Sequence, residues 1–194
     1  MGTLEGIVLH ALALSRCAVT VRHWFEVNLD DASMEHGARI ELRELRAHPH
    51  RGSESASQLV TIDRTIWRAD LFDRLAGEAG RFAAAHYHPE FTDNEPCSRV
   101  WDPWLTTDPF GWLGDQVATL GGGRWPVQHE DADELRGLAA TVVALARQYS
   151  PEICTSGAEC FQLTRDVKNA VRLMTESLRE PSLLDEGWVA PWLG

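Results

Sequence analysis

The sequence is poor in several things that would identify a protein quickly. It has 4 cysteines in 194 residues, at positions 17, 97, 154 and 160. None forms C-x-x-C, and the Cys154-x5-Cys160 gap fits no common zinc spacing, so the expectation is free thiols in a reducing cytoplasm. Lysine is almost absent: among 18 basic residues only Lys168 is one. That bias toward Arg, with abundant Ala, suits a GC-rich genome and says nothing of function. No apolar run reaches the ~18 residues that a membrane span needs. Glu5 stands where a signal peptide would carry a basic residue, and the Met-Gly start lacks Ser or Thr at its sixth position, so neither a secretion signal nor myristoylation is expected. Positive charge is outweighed, 29 acidic residues giving a net charge of -11. Such a chain repels phosphate backbones and anionic lipid, which argues against nucleic-acid and membrane partners.

Reactive signatures are missing too. No G-x-S-x-G occurs. "GGGRWP" at 121–126 lacks the Lys-Ser/Thr and the preceding strand of a phosphate loop, and Glu35-His36 has Ile40 where H-E-x-x-H needs its second His. There is no internal repeat and no low-complexity tract.

What is present is a 44% hydrophobic chain, enough for one sizeable core, with 1–194 expected as a single domain. Its character changes near residue 103. Residues 1–102 read as mainly β and 103–194 as mainly α. Strand signals run over 18–29, 38–50, 58–72 and 81–91. In 38–50, Ile40 and Leu42 share a side with Glu44, Arg46, His48 and His50, so that face passes from apolar to polar. Asp108-Pro109 is a helix start, with Asp at the N-cap and Pro at N1, and Gly121–Gly123 is its stop. Asp131-x-x-Glu134 resembles a capping box. It leads into a stripe of Leu135, Leu138, Ala139, Val142, Leu145, Ala146 and Tyr149 that Ser150-Pro151 ends. A last helix is expected over 158–179, then an apolar tail with Trp188 and Trp192. The fold class is therefore α+β: a small antiparallel sheet of about four strands covered by about three C-terminal helices.

The stretch "RFAAAHYHPEF" at 81–91 carries the chemistry. On a strand Phe82, Ala84, His86, His88 and Glu90 face one way. Imidazoles two residues apart stand roughly 7 Å apart at Cα, close enough to converge on one ion. With a carboxylate they would suit Zn, Fe or Mn. Without a metal the same rings titrate near neutrality and serve as general acid and base. On a wet face they would be merely polar. His86, His88 and Glu90 are the catalytic expectation, with His48 and His50 as further ligands if their strand is a neighbour. "AHPHRGSES" also reads as a surface turn, which would remove His48 and His50.

Phe82 and Trp101 would wall the substrate site, and Arg68 and Arg99 would hold a substrate carboxylate or phosphate. Pairing with Asp70, Asp63 or Glu44 is the commoner fate of such arginines. Trp101, Trp104, Trp112 and Trp125 cluster in sequence; they line a pocket or seal helices onto the sheet.

Gly80, five residues, then His86-x-His88 resembles the opening of the first cupin motif. The cupin pattern then expects Glu where this chain has Thr92 or Asp93, a later Gly where Val100 stands, and a second motif in a region that reads as helical. The resemblance covers about ten residues and implies a metal-binding β-barrel. The "HYHP" and "EPC" elements also resemble small proteins of GC-rich, actinobacterial type, a likeness that implies no activity.

The expected function is a small-molecule enzyme with a histidine-centred site on a strand, using a divalent metal or histidine acid–base chemistry, closed by the 93–104 loop. The alternative is a non-catalytic protein that binds a ligand or forms a homodimer through an open sheet edge and the apolar tail.

Overall fold

A computed structural model describes residues 9–27, 34–48, 60–120 and 129–151. All of them belong to the first of two units into which the chain divides, residues 1–155. The fold is α+β. A five-stranded antiparallel sheet comes from the N-terminal half, in the order β1 (Leu9–Ala13), β2 (Cys17–Val27), β3 (Met34–Ala47), β4 (Val60–Arg74) and β5 (His86–His88). Each strand pairs with the next. A two-stranded ribbon follows, β6 (Phe91–Thr92) with β7 (Glu95–Pro96). Three helices complete the described residues: α1 (Trp104–Thr107), α2 (Pro109–Leu120) and α3 (His129–Gln148).

Alternation makes the sheet two-faced. Val19 and Val21 of β2, Ile40 and Leu42 of β3, and Trp67, Ala69 and Leu71 of β4 are buried on one side. That side receives Leu113 and Val117 of α2 and Leu135, Val142 and Ala146 of α3 in one hydrophobic core. Burying each large aliphatic side chain contributes about 1.5–3 kcal/mol, so this layer is the main source of stability. Trp67 stacks on Trp112 at 6.3 Å and Tyr87 leans on the same indole at 5.2 Å. The alternate residues take the other face, and apart from Thr20 those beside these apolar positions are charged: Arg22, Arg39, Glu41, Arg68 and Asp70.

The two helix signals behave differently. Asp108 caps α2, accepting from Gly111 N at 3.0 Å, as an Asp before Pro at N1 should. Asp131 does not begin α3, which starts at His129. Its carboxylate instead accepts from Ser15 N and Arg16 N, at 3.0 and 2.9 Å, and so ties the helix to the β1–β2 turn. The turn's unpaired N–H groups outbid the helix's own.

The strand expected over 81–91 shrinks to three residues. Gly80 and Phe82 have positive φ, 84° and 51°. Asp73, 1% exposed, accepts from Gly80 N at 2.6 Å and Ala83 N at 2.9 Å, which holds this left-handed loop in place. Strand β1 was not expected, and it adds an edge beyond β2. The expected helix over 158–179, the apolar tail, Trp125 and His50 lie outside the described residues. Among the described residues no helix is long and apolar enough to cross a membrane.

Candidate metal and substrate site

The antiparallel register sets the site. Arg68 stands opposite His88 and Asp70 opposite His86. One strand further in, Glu41 faces Arg68 and Arg39 faces Asp70. The charged face of the sheet therefore carries Asp70, His86 and His88 side by side, and all three are buried, at 0%, 1% and 5% exposure.

His86 Nε2 lies 3.3 Å and His88 Nε2 3.7 Å from Asp70 Oδ2. One ligand atom from each residue lies within 4.8 Å of the others. Two ligands at ~2.1 Å from one tetrahedral ion are themselves about 3.4 Å apart, so these spacings match a shared cation. His88 Nδ1 is 2.6 Å from the Ser98 carbonyl, which can only accept. Nδ1 therefore holds the proton, and Nε2 presents a lone pair. His88 Nε2 is buried with no hydrogen-bond partner. His86 Nδ1 sits 2.8 Å from the Ala84 carbonyl and 3.1 Å from Arg99 Nη2. One nitrogen cannot serve both, since the carbonyl needs an N–H and the guanidinium a lone pair. The shorter contact assigns the proton to Nδ1 and leaves Nε2 to face Asp70. In the other tautomer Nε2–H would donate to Asp70.

Asp70 is ringed by cations. Arg39 grips it with two hydrogen bonds, Nε at 2.6 Å and Nη2 at 3.0 Å, and also reaches Glu26 at 3.0 Å. Arg68 Nε lies 3.2 Å from Oδ2. Burial alone would raise the Asp70 pKa, but the charge and hydrogen bonds of Arg39 and the charge of Arg68 hold the carboxyl well below the usual carboxylate range. His88 is pushed down to about 4, first by burial and then by the positive charge of Arg68. It is a neutral imidazole at neutral pH.

Aromatic rings close round this group. Phe72 meets His86 edge-on at 6.1 Å, and Trp101 tilts over it at 5.3 Å. Phe91 lies 6.1 Å from His88. Arg99 packs over Trp101 at 4.9 Å and bonds Glu35 at 2.8 Å.

Of the residues expected from sequence, His86, His88, Arg68, Arg99 and Trp101 come together here. Glu90 does not: it follows the end of β5 and is exposed, and Asp70 supplies the carboxylate of the cluster. Phe82 turns to the opposite side of the sheet, where it meets Phe110 at 5.6 Å in the core. Its left-handed backbone breaks the alternation on which a shared face depended. His48 bonds Thr61 at 2.7 Å. Thr61 is nine residues along β4 from Asp70, which at ~3.3 Å per residue places His48 about 30 Å away. Trp112 seals the helices onto the sheet, whereas Trp101 and Trp104 are 54% and 66% exposed. Asp70 was expected only as an arginine's partner, which it is for Arg68, and not as a ligand beside the histidines; Arg39 was not singled out. The available signal was the polar set Arg68-x-Asp70 alternating with Trp67, Ala69 and Leu71 on a strand next to His86-x-His88.

Comparison with protein-family models, with curated proteins and with solved structures finds no match to this chain.

Proposed function

We propose that the protein is a metal-dependent enzyme acting on a small organic molecule, with His86, His88 and Asp70 as the ligands of one divalent cation. The observation that carries this reading is the mutual approach of two imidazole Nε2 atoms and a carboxylate oxygen, with the Nδ1 atoms committed to backbone carbonyls. Lone pairs facing one another in a buried site repel unless a cation stands among them. Carbonyl-anchored histidines are how proteins orient metal ligands. Two histidines and a carboxylate leave coordination positions open, a set that suits Fe(II), Mn or Zn. Such an ion supplies Lewis acidity or an activated water when bound. The chain's own part is to fix the ligands, exclude water with Phe72 and Trp101, and neutralise charge with Arg39.

The closeness of Arg39 and Arg68 to Asp70 supports a second reading, a metal-free ligand-binding protein. Arg39 already satisfies the carboxylate with two hydrogen bonds, and the charges of both guanidiniums would oppose a nearby divalent ion. Elemental analysis of untagged protein separates the two. The metal reading expects close to one equivalent of a transition metal, lost in His86→Ala and His88→Ala while far-UV circular dichroism stays unchanged. Wild-type protein that stays metal-free after dialysis against Zn(II), Mn(II) and anaerobic Fe(II) in turn overturns it.

A further inference from the structure

The protein as a whole is strongly acidic, at -11, yet the charged face of its sheet gathers arginines: Arg22 from β2, Arg39 and Arg43 from β3, and Arg68 from β4. Two of them are fully occupied. Arg39 holds Asp70 and Glu26. Arg43 holds Glu41 at 3.0 Å, Thr65 at 2.9 Å and the Asp63 carbonyl at 3.0 and 2.6 Å. Arg22 lies 3.8 Å from Glu41 and packs over Trp24.

Arg22 Nε and Arg68 Nε are both buried without a hydrogen bond, and of these two Arg68 is the one that pairs in register with His88 of the ligand cluster. Arg68 Nε forms none although Asp70 is 3.2 Å away. The side chain keeps 14% exposure, so its outer edge is open to a ligand, and a bound anion relieves the cost of the under-paired guanidinium. Its neighbours say where the rest of such a ligand lies. Arg68 pairs in register with His88, whose Nε2 is also buried without a partner. Its guanidinium carbon is 5.4 Å from the Phe91 ring, which itself packs on His88.

We propose that the substrate is a small carboxylic acid whose carboxylate pairs with Arg68 and whose carbon frame lies against Phe91, beside His88. The planar fork of arginine matches a planar carboxylate in two parallel hydrogen bonds. A single negative charge suits the place better than a phosphate dianion, because Asp70 and Glu41 stand next to Arg68. This rests on the Asp70–His86–His88 cluster being the active site, but it does not require the metal.

Equilibrium dialysis of the full chain tests it, with radiolabelled benzoate as probe and benzamide and inorganic phosphate as comparisons, with and without one equivalent of Zn(II). Benzoate should bind, benzamide should not compete, and Arg68→Gln should weaken benzoate about ten-fold or more, the loss expected for charge-assisted hydrogen bonds. Arg68→Lys should recover part of the affinity. Arg64→Gln, which alters an exposed pair with Glu44, should change nothing. Each variant is taken only with an unchanged melting temperature and Zn(II) stoichiometry. Equal binding of benzoate by Arg68→Gln, no binding at all, or benzamide or phosphate binding as tightly as benzoate overturns the proposal. Zn(II) uptake with no benzoate binding would defeat this inference and leave the metal reading standing. Arg68-dependent benzoate binding without any metal uptake would do the reverse.

Discussion

Single residues decide whether the charged face can exist at all. Gly37 lies in β3 opposite Trp24 and Phe72, with φ +151°. A Cβ there would sit 2.1 Å from the Leu71 carbonyl oxygen, a backbone atom that cannot turn away. Its cross-strand neighbours Trp24 and Phe72 carry the rings that Arg39 covers at 4.4 and 5.4 Å. Gly37→Ala should therefore cost on the order of 3 kcal/mol or more, from strain and overpacking together. Urea unfolding measures it; a change below ~1 kcal/mol would mean that β3 shifts to accommodate the methyl group. Asp70 shows the residue scale from the other side. Nothing in "RADLF" marks its carboxylate as more than a strand's polar residue. Only the register that sets it against His86 does so, and register depends on turns that local sequence specifies weakly.

At the scale of elements, the informative joint is between α3 and the first hairpin. Asp131 accepts from Ser15 and Arg16 and comes within 3.6 Å of Cys17 Sγ. Burial, with the nearby Asp131 charge, pushes the Cys17 thiol up to about 12. Asp131→Ala should destabilise the fold by about 1–3 kcal/mol through the amides left without an acceptor. It should also speed hydrogen exchange at Ser15 and Arg16 before the sheet centre is affected. In wild-type protein at pH 8, mass-spectrometric mapping of maleimide labelling should find Cys97, which is exposed, modified and Cys17 untouched. Early labelling of Cys17 would contradict the packing of α3 against the hairpin.

These elements also show what the sequence reveals. Strands β2, β3 and β4 and helices α2 and α3 were legible because alternation and the 3.6-residue stripe are strong, and their ends fell within a few residues. The histidine pair was legible as a pair. The reach of its strand was not, because Phe82 is apolar and in phase with His86, yet Asp73 draws the chain into a left-handed turn just before the strand. The carboxylate partner was sought nearby in sequence, at Glu90. The fold supplies it from the neighbouring strand, at Asp70. Contacts local in space but distant along the chain are what periodicity cannot report.

For the molecule as a whole, buried neutral histidines link stability to pH. Burial, followed by the proximity of His36, pushes His23 down to about 4. His36 is lowered by burial against the opposing pull of Asp73, and His88 falls to about 4 as described. In the unfolded chain these rings titrate near ~6.5. Below that pH the unfolded state takes up protons that the folded state refuses, so unfolding becomes easier as pH falls from ~6.5 toward ~4, and the full contribution is present above ~6.5. The depressed Asp70 adds its loss at still lower pH. Urea midpoints should fall between pH 7 and pH 4.5, and His23→Gln should flatten part of that slope. A midpoint constant across this range would show that the rings titrate freely in the folded protein.

The placement of the two imidazoles on a three-residue outer strand has one more consequence. β5 is held to β4 along one side and, on the other, to Val100 by a lone bridge through Tyr87. Margins of sheets fray at far smaller free energy than their centres. Ligand capture and release can therefore proceed by brief detachment of this short strip while the helix-covered interior stays shut, so exchange rates at the centre would report the durability of the rim and not that of the fold.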